Sequence, residues 1–277
     1  MRYYFAGAET HYDKLAEGGV EDVLCTYLVF NNRKDLAKRI FENPQFKHIA
    51  IDSGAHSFQK DVAGVDMKQF VLAYKNFIKE HKDNPKVDWF AEMDIEGMVG
   101  LPQVERWFDT LRNISDKVMP VWHPERGVKN WERYCRENKF VGTGGTWKFM
   151  PVEQLIKLSV SAYDAGASHH GFGCTSTRLM SQVPMFSTDS TSWLAGEQYG
   201  QVIRQEGTTY NMVQRGGRRL SPEDPSIIEI TKPYKRRTDR MIQHYKEHAR
   251  FITALWASRG IVFKESKDGQ KSKSTKR

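Results

Sequence analysis

Three aspartates of this chain stand at or just past the ends of short β-rich runs: Asp52 closes HIAID, Asp94 follows VDWFAEM, and Asp189 follows MFST. One aspartate in such a place is ordinarily a helix N-cap, its carboxylate accepting free backbone N–H groups. Three brought to one rim can do chemistry. Paired carboxylates across a substrate cleave glycosidic bonds, one attacking or stabilising an oxocarbenium-like centre while the other moves protons. A third can take up the N–H groups on the edge of a heterocycle. Glycine-rich run ends, Gly142-Thr143-Gly144-Gly145 and Gly171-Phe172-Gly173, interleave with the aspartates and would let a planar ligand approach the backbone. The residue types point to a bond between a sugar and a base.

For the three to meet, the chain must carry each to the same end of a sheet. Short β-rich runs alternate with amphipathic ones nearly throughout, the pattern of a parallel sheet covered by helices. The runs are residues 3–6, 23–30, 48–52, 87–93, 117–122, 140–143, 168–172 and 185–188. Eight such units predict an α/β fold, a (β/α)8 TIM barrel, in which function resides at the C-terminal ends of the strands. Between the runs, RKDLAKRIFEN, DMKQFVLAYKNFIKEHK, LPQVERWFDTLRNI, NWERYCREN and PVEQLIKLSVSAYDAG repeat apolar residues at three- and four-residue spacing. Pro102 and Pro151 fall where a first helical turn tolerates a missing N–H, and Gly166 falls where a left-handed cap is expected. After the eighth run comes an irregular stretch, RQEGTTYNMVQRGGRRLSPEDPSII, and then a long basic helix over 234–258 with Met241, Tyr245, Phe251 and Leu255 as its packing face. The organisation read from this is a barrel with its following loop over 1–230, a basic helix packed on the barrel over 231–262, and a disordered basic tail over 263–277.

Charge is unevenly placed. Residues 231–277 hold 14 Lys and Arg against 4 Asp and Glu, leaving 28 against 30 in the body. A near-neutral body with a cationic end suggests a polyanion partner, because each Lys or Arg that neutralises a phosphate releases a condensed counterion. Cys25, Cys135 and Cys174 lie far apart with no metal-ligand spacing, so reduced core or surface thiols are expected. The opening MRYYFAGAETHYDKL has no leader pattern, and no stretch reaches 18 uninterrupted apolar residues. The expectation is a cytoplasmic protein with no membrane partner.

The ordered set IDSGAHSFQ, AEMDIEG, GTGG, HGFG and FSTDSTSW resembles the tRNA-guanine transglycosylase (queuine tRNA-ribosyltransferase) superfamily over roughly residues 3–200. The nearest likeness is to its short, zinc-less relatives in bacteriophages and in pathways that place 7-deazaguanines in DNA. The resemblance implies a transferase that exchanges guanine for a 7-deazaguanine base in a polynucleotide, DNA or tRNA with DNA favoured, in a bacterium or phage-infected cell. It implies Asp189 as the nucleophile and Asp52 as the general acid/base. It implies Asp94 as reader of the base, assisted by Ser53, Gly54, Gly144, Gly145 and Gly171, with His56 or Phe58 stacking on the ring. His123 stands where the family often places an amide. His169 and His170 are adjacent and face opposite sides of their strand, which makes His170 the candidate to line the pocket. Trp193 and Tyr199 read as packing residues.

One departure is clear. The tRNA enzymes carry a CxCxxC…His zinc site in a C-terminal insertion, and this chain has no such cluster, so neither metal nor other cofactor is expected. The basic helix is the candidate substitute for gripping nucleic acid, through Lys235, Arg236, Arg237 and Arg240. The tRNA enzymes pair as homodimers partly through the zinc region, which leaves dimerisation open here. Two other readings compete: a barrel that binds nucleic acid without catalysis, as an accessory subunit of a modification complex, and a metal-dependent barrel hydrolase. The hydrolase reading suffers from Ala6-Gly7-Ala8-Glu9 at the end of the first run, where such enzymes usually show HxH.

Overall fold

A computed structural model describes residues 1–59, 66–145, 149–195, 201–206, 209–214 and 234–263, without the side chains of His56, Gln59, 201–206, 209–214 and 234–237. The runs form parallel strands: β1 (Arg2–Ala6), β2 (Asp22–Thr26), β3 (His48–Asp52), β4 (Val87–Ala91), β5 (Val118–Met119), β6 (Val121–Trp122), β7 (Phe140–Thr143), β8 (Ser168–Gly171) and β9 (Ser187–Ser190). Their order, β5-β4-β3-β2-β1-β9-β8-β7-β6, begins and ends on two halves of one strand, broken only at Pro120. Proline has no N–H to give the ladder, but its carbonyl still accepts the Gly142 N–H at 2.8 Å. The sheet therefore closes on itself as an eight-stranded α/β barrel, as the alternation predicts.

Strand alternation sorts the side chains into two layers. Tyr4, Ala6, Leu24, Ala50, Trp89, Ala91, Met119 and Val121 fill the barrel. Tyr3, Phe5, Val23, Cys25, Ile49, Ile51 and Phe90 face the helices. All three cysteines are buried. The N-terminal end of the barrel is tied by polar groups from three strands. Arg2 donates to Asp88 at 2.8 Å, the Tyr4 hydroxyl donates to Asp88 at 2.7 Å, and His48 Nδ1 lies 3.3 Å from the same carboxylate. That end belongs to stability, and the other is free for function.

The wrapping helices are α1 (Ala8–Glu17), α2 (Tyr27–Asn32), α3 (Lys34–Glu42), α4 (Met67–His81), α5 (Glu96–Val99), α6 (Leu101–Arg112), α7 (Gly127–Glu137), α8 (Val152–Asp164), α9 (Thr177–Met180) and α10 (Tyr234–Ser258). The run expected as strand over 23–30 ends at Thr26, and α2 begins at Tyr27. There a three-residue spacing prevails: Tyr27 and Phe30 both bury on one side of the helix. The last barrel strand lies two residues later than the sequence suggests, which puts Asp189 inside β9. Part of the stretch read as irregular is an antiparallel hairpin of β10 (Gln201–Glu206) and β11 (Thr209–Gln214), paired from Gln201–Gln214 to Glu206–Thr209. The rest of that stretch and the expected tail from residue 264 lie outside the described residues.

α10 runs antiparallel to β1 and covers its outer face. Tyr245 stacks on Tyr3 with centroids 4.8 Å apart, the Met1 amine donates to Thr253 Oγ1 at 2.7 Å, and the Trp256 indole donates to the Met180 carbonyl at 2.9 Å. Met241, Ile242, Tyr245, Ile252 and Trp256 are buried, whereas Phe251 and Leu255 are only partly so. α10 thus completes the ring of helices, and its first turn lies at the mouth end. Among the described residues, no helix is long and apolar enough to cross a membrane.

Candidate active site at the barrel mouth

Asp52 is the last residue of β3, and the two residues after it hold it in place. Its carboxylate accepts the Gly54 N–H. Gly54 has φ +77°, and a Cβ there would fall 2.6 Å from Leu28 Cβ and 2.8 Å from Thr26 Cγ2. Torsion and space both demand glycine. Burial pushes the Asp52 carboxyl up to about 7, Asp94 adds to this, the Gly54 N–H opposes it, and Asp189 and Glu9 contribute further repulsion. Asp94 and Asp189 are therefore both close enough to act on Asp52.

Asp94 lies three residues beyond β4. Its Oδ2 is 3.5 Å from His123 Nε2, and Glu96 Oε1 is 3.9 Å from the same nitrogen. Burial alone would depress the His123 pKa; Asp94 and Glu96 outweigh it and raise it, favouring the imidazolium. This ring has room only because residue 144 is glycine, since a Cβ there would lie 2.1 Å from His123 Cε1. The Gly144 N–H donates to the Trp122 carbonyl at 3.0 Å. Gly144 thus makes space for His123, and its amide is not free for the base as the sequence reading expected.

Asp189 points inward from β9, in register with Tyr4 of β1. Its Oδ1 accepts the Gly173 N–H at 2.9 Å and lies 3.3 Å from His170 Nε2. The fully buried His170 ring packs among Trp89, Phe172 and Tyr4, at centroid distances of 4.8, 4.5 and 5.9 Å. His169 faces the helices instead, between Ser159 Oγ at 2.6 Å and Thr143 Oγ1 at 3.0 Å. Burial, with His170 adding, lowers its pKa to about 3. The opposite facing of the two histidines follows from strand alternation, as expected.

Other predicted residues fall around this centre with different roles. Ser53 is fully buried and its hydroxyl accepts the Ala55 N–H at 3.2 Å, so it shapes the turn and does not face the mouth. A Cβ on Gly171 would lie 2.4 Å from Met185 Sδ, which makes that glycine a packing requirement rather than an opening for a ligand. Gly145 is exposed with nothing within 4 Å of an added Cβ. Phe58 is buried against Phe70 at 4.8 Å, a core role. His56 sits in the 3-10 turn Ala55–Gln59, its side chain outside the described residues. Trp193 is buried and donates to the Ala6 carbonyl at 3.0 Å, a packing role, and Tyr199 lies outside the described residues. Lys235, Arg236 and Arg237 ride on the first turn of α10 with their side chains likewise undescribed, and Arg240 is exposed.

Sequence reasoning missed a second charged group on the same rim. Arg126 is buried and donates to Glu92 at 2.6 Å and to both oxygens of Glu96 at 3.0 Å. Glu92 also accepts the Val121 N–H at 2.6 Å. Burial pushes the Glu92 carboxyl up to about 7 against the pull of Arg126. Glu9, just past β1, is buried as well; burial raises its pKa while the Thr26 N–H, 3.3 Å away, opposes the shift. Glu9 and Glu96 lie in the run ends AGAE and DIEG and were open to notice there. Nothing in HPERG marks Arg126 as buried. Among the described residues, no group of three or more His, Cys, Asp or Glu is disposed to hold a metal ion.

No family model matches the sequence, and no curated protein matches it either. Among solved structures, the chain is similar to a candidate fructose-1,6-biphosphate aldolase from Coccidioides immitis, at 7% identity and a TM-score of 0.49, over 94% of this chain and 90% of that one. It is also similar to a candidate dehydratase from Mesorhizobium loti, at 10% identity and a TM-score of 0.48, over 76% of this chain and 64% of that one. Likeness at that level says nothing of chemistry, and the barrel rests on its own strand pairing.

Proposed function

We propose that the chain is an enzyme, a glycosyltransferase of the guanine transglycosylase type, exchanging guanine for a 7-deazaguanine base in a polynucleotide. The observation that carries this reading is Asp52, a carboxyl poised near neutrality by burial and by Asp94 and Asp189 at one barrel mouth. Such a group can give a proton in one half-reaction and take one in the next. Asp189 attacks C1′ of the sugar; the C1′–N bond breaks, its electron pair leaves with guanine, and Asp52 supplies the proton that guanine needs. The incoming base then loses a proton to Asp52, attacks C1′ and expels Asp189. Asp94 and His123 read the base edge. DNA is the favoured acceptor, gripped by the cationic start of α10.

Labelled-guanine exchange, with nucleoside mass spectrometry of DNA and tRNA from cells that make 7-deazaguanines, tests this. Asp189→Ala and Asp52→Ala should abolish exchange, and Asp189 should be trapped covalently on substrate. Full exchange by Asp189→Asn would overturn the mechanism.

A further inference from the structure

Among the described residues, Asp189 is held by one oxygen only. Its Oδ1 accepts the Gly173 N–H and faces His170 Nε2, while no described residue bonds Oδ2. The other ring nitrogen, His170 Nδ1, lies 2.9 Å from Ser187 Oγ. Ser187 and Asp189 sit two apart on β9 and so share its inner face. Together they hold the ring of His170 on β8 between them. That ring cannot swing away, because Trp89, Phe172 and Tyr4 enclose it.

The chemistry of the three groups fixes the protons. A carboxylate is acceptor-only, so the nitrogen facing Asp189 must carry the hydrogen. A neutral imidazole then presents a lone pair at Nδ1, which the Ser187 hydroxyl fills as donor. The reverse tautomer would set the Nε2 lone pair against the carboxylate inside a buried site, an arrangement that costs the desolvation of both groups.

We propose that His170 is a positioning residue: Ser187 fixes its Nε2–H tautomer, and the positive end of that N–H, 3.3 Å from Oδ1 but not aligned as a hydrogen bond, joins the Gly173 amide in holding Oδ1, which leaves Oδ2 as the attacking atom. This rests on the reading of Asp189 as the nucleophile. It adds which oxygen attacks and what orients it. A carboxylate free to turn about its last bond presents either oxygen in many directions; one whose Oδ1 is held by an amide hydrogen bond beside an imidazole N–H dipole presents far fewer.

Two measurements on the full chain separate this inference from the function on which it rests. The first uses no substrate: ¹⁵N imidazole spectra should show His170 as the Nε2–H tautomer, and Ser187→Ala should mix the two tautomers. A His170 found as Nδ1–H overturns the proposal whatever the protein catalyses. The second is base exchange. His170→Phe should lower kcat roughly 10- to 100-fold with KM nearly unchanged, the size typical of removing an orienting partner. His170→Gln, whose amide keeps a donor near Nε2, should recover most of the rate. If His170→Phe does not fold, as circular dichroism would report, the glutamine variant and the tautomer decide. Equal kcat for wild type and His170→Phe overturns the positioning role. Absence of exchange in wild type, with the Nε2–H tautomer seen, overturns the function while the Ser187–His170–Asp189 arrangement stands.

Discussion

The Cε1 edge of His123 fills the place where residue 144 would otherwise carry a side chain, 2.1 Å from the position of a Cβ. Gly144→Ala must therefore displace the ring from its present position 3.5 Å from Asp94. In histidine NMR, His123 of the wild type should titrate above the usual value of about 6.5. In Gly144→Ala it should fall back toward or below that value, as its carboxylate partners recede and burial dominates. Gly145→Ala, with nothing within 4 Å, should leave the titration unmoved.

Asp52 should govern both rate and stability near neutral pH. Its folded-state pKa, about 7, lies above the unfolded value of 3.8. The protonated carboxyl is thus favoured by folding, and its stabilising contribution is full below about pH 4 and lost as pH rises through 7. Asp52→Asn should stabilise the fold by about 2 kcal/mol at pH 8, after allowance for partial solvent access, and by almost nothing at pH 4. Thermal melts across that range would show it. For exchange itself, kcat/KM should decline above pH 7 as the proton donor is lost.

Arg126→Met should destabilise by about 3–5 kcal/mol, because it leaves Glu92 buried without its cation. The double variant Arg126→Met, Glu92→Gln should recover a substantial part. Urea unfolding of the two side by side is the measurement. If the single variant lost under 1 kcal/mol, the charge balance described for this rim would be wrong.

Gly54→Ala combines a left-handed torsion with collisions against Leu28 and Thr26. A loss of about 2–3 kcal/mol is expected. Because the Gly54 N–H also binds the Asp52 carboxylate, exchange should fall further than stability alone explains, which a rate measured well below the melting temperature would reveal.

The barrel was legible because a parallel strand followed by a covering helix leaves two periods in the sequence, and both were strong from β3 through β8. Where they failed, the competing signal is identifiable. YLVF after Thr26 is β-rich by composition, yet its aromatic pair recurs every three residues and forms a helix. QVIRQE and TYNMVQ are two runs separated by a glycine-led pair, a hairpin signal hidden by the charged residues around it. Asp52, Asp94 and Asp189 could be read because strand ends are where barrels do chemistry. Gly144 and Gly171 were read as access for a ligand, whereas each accommodates a side chain from elsewhere in the chain, His123 and Met185, which spacing cannot reveal. Arg126 was out of reach for a like reason: only the fold brings Glu92 and Glu96 to it.

The placement of α10 bears on how the chain is made. β1 is synthesised well before α10, and its outward Tyr3 and Phe5 find their cover in Tyr245, more than two hundred residues later. The Met1 amine waits for Thr253 across 252 positions. Until α10 is made, the outer face of β1 beside its pairing with β9 lacks its cover. Cover for β1 therefore arrives only with α10, and a chain stopped before Tyr234 would present an aromatic strand face to whatever chaperone or neighbouring polypeptide meets it first.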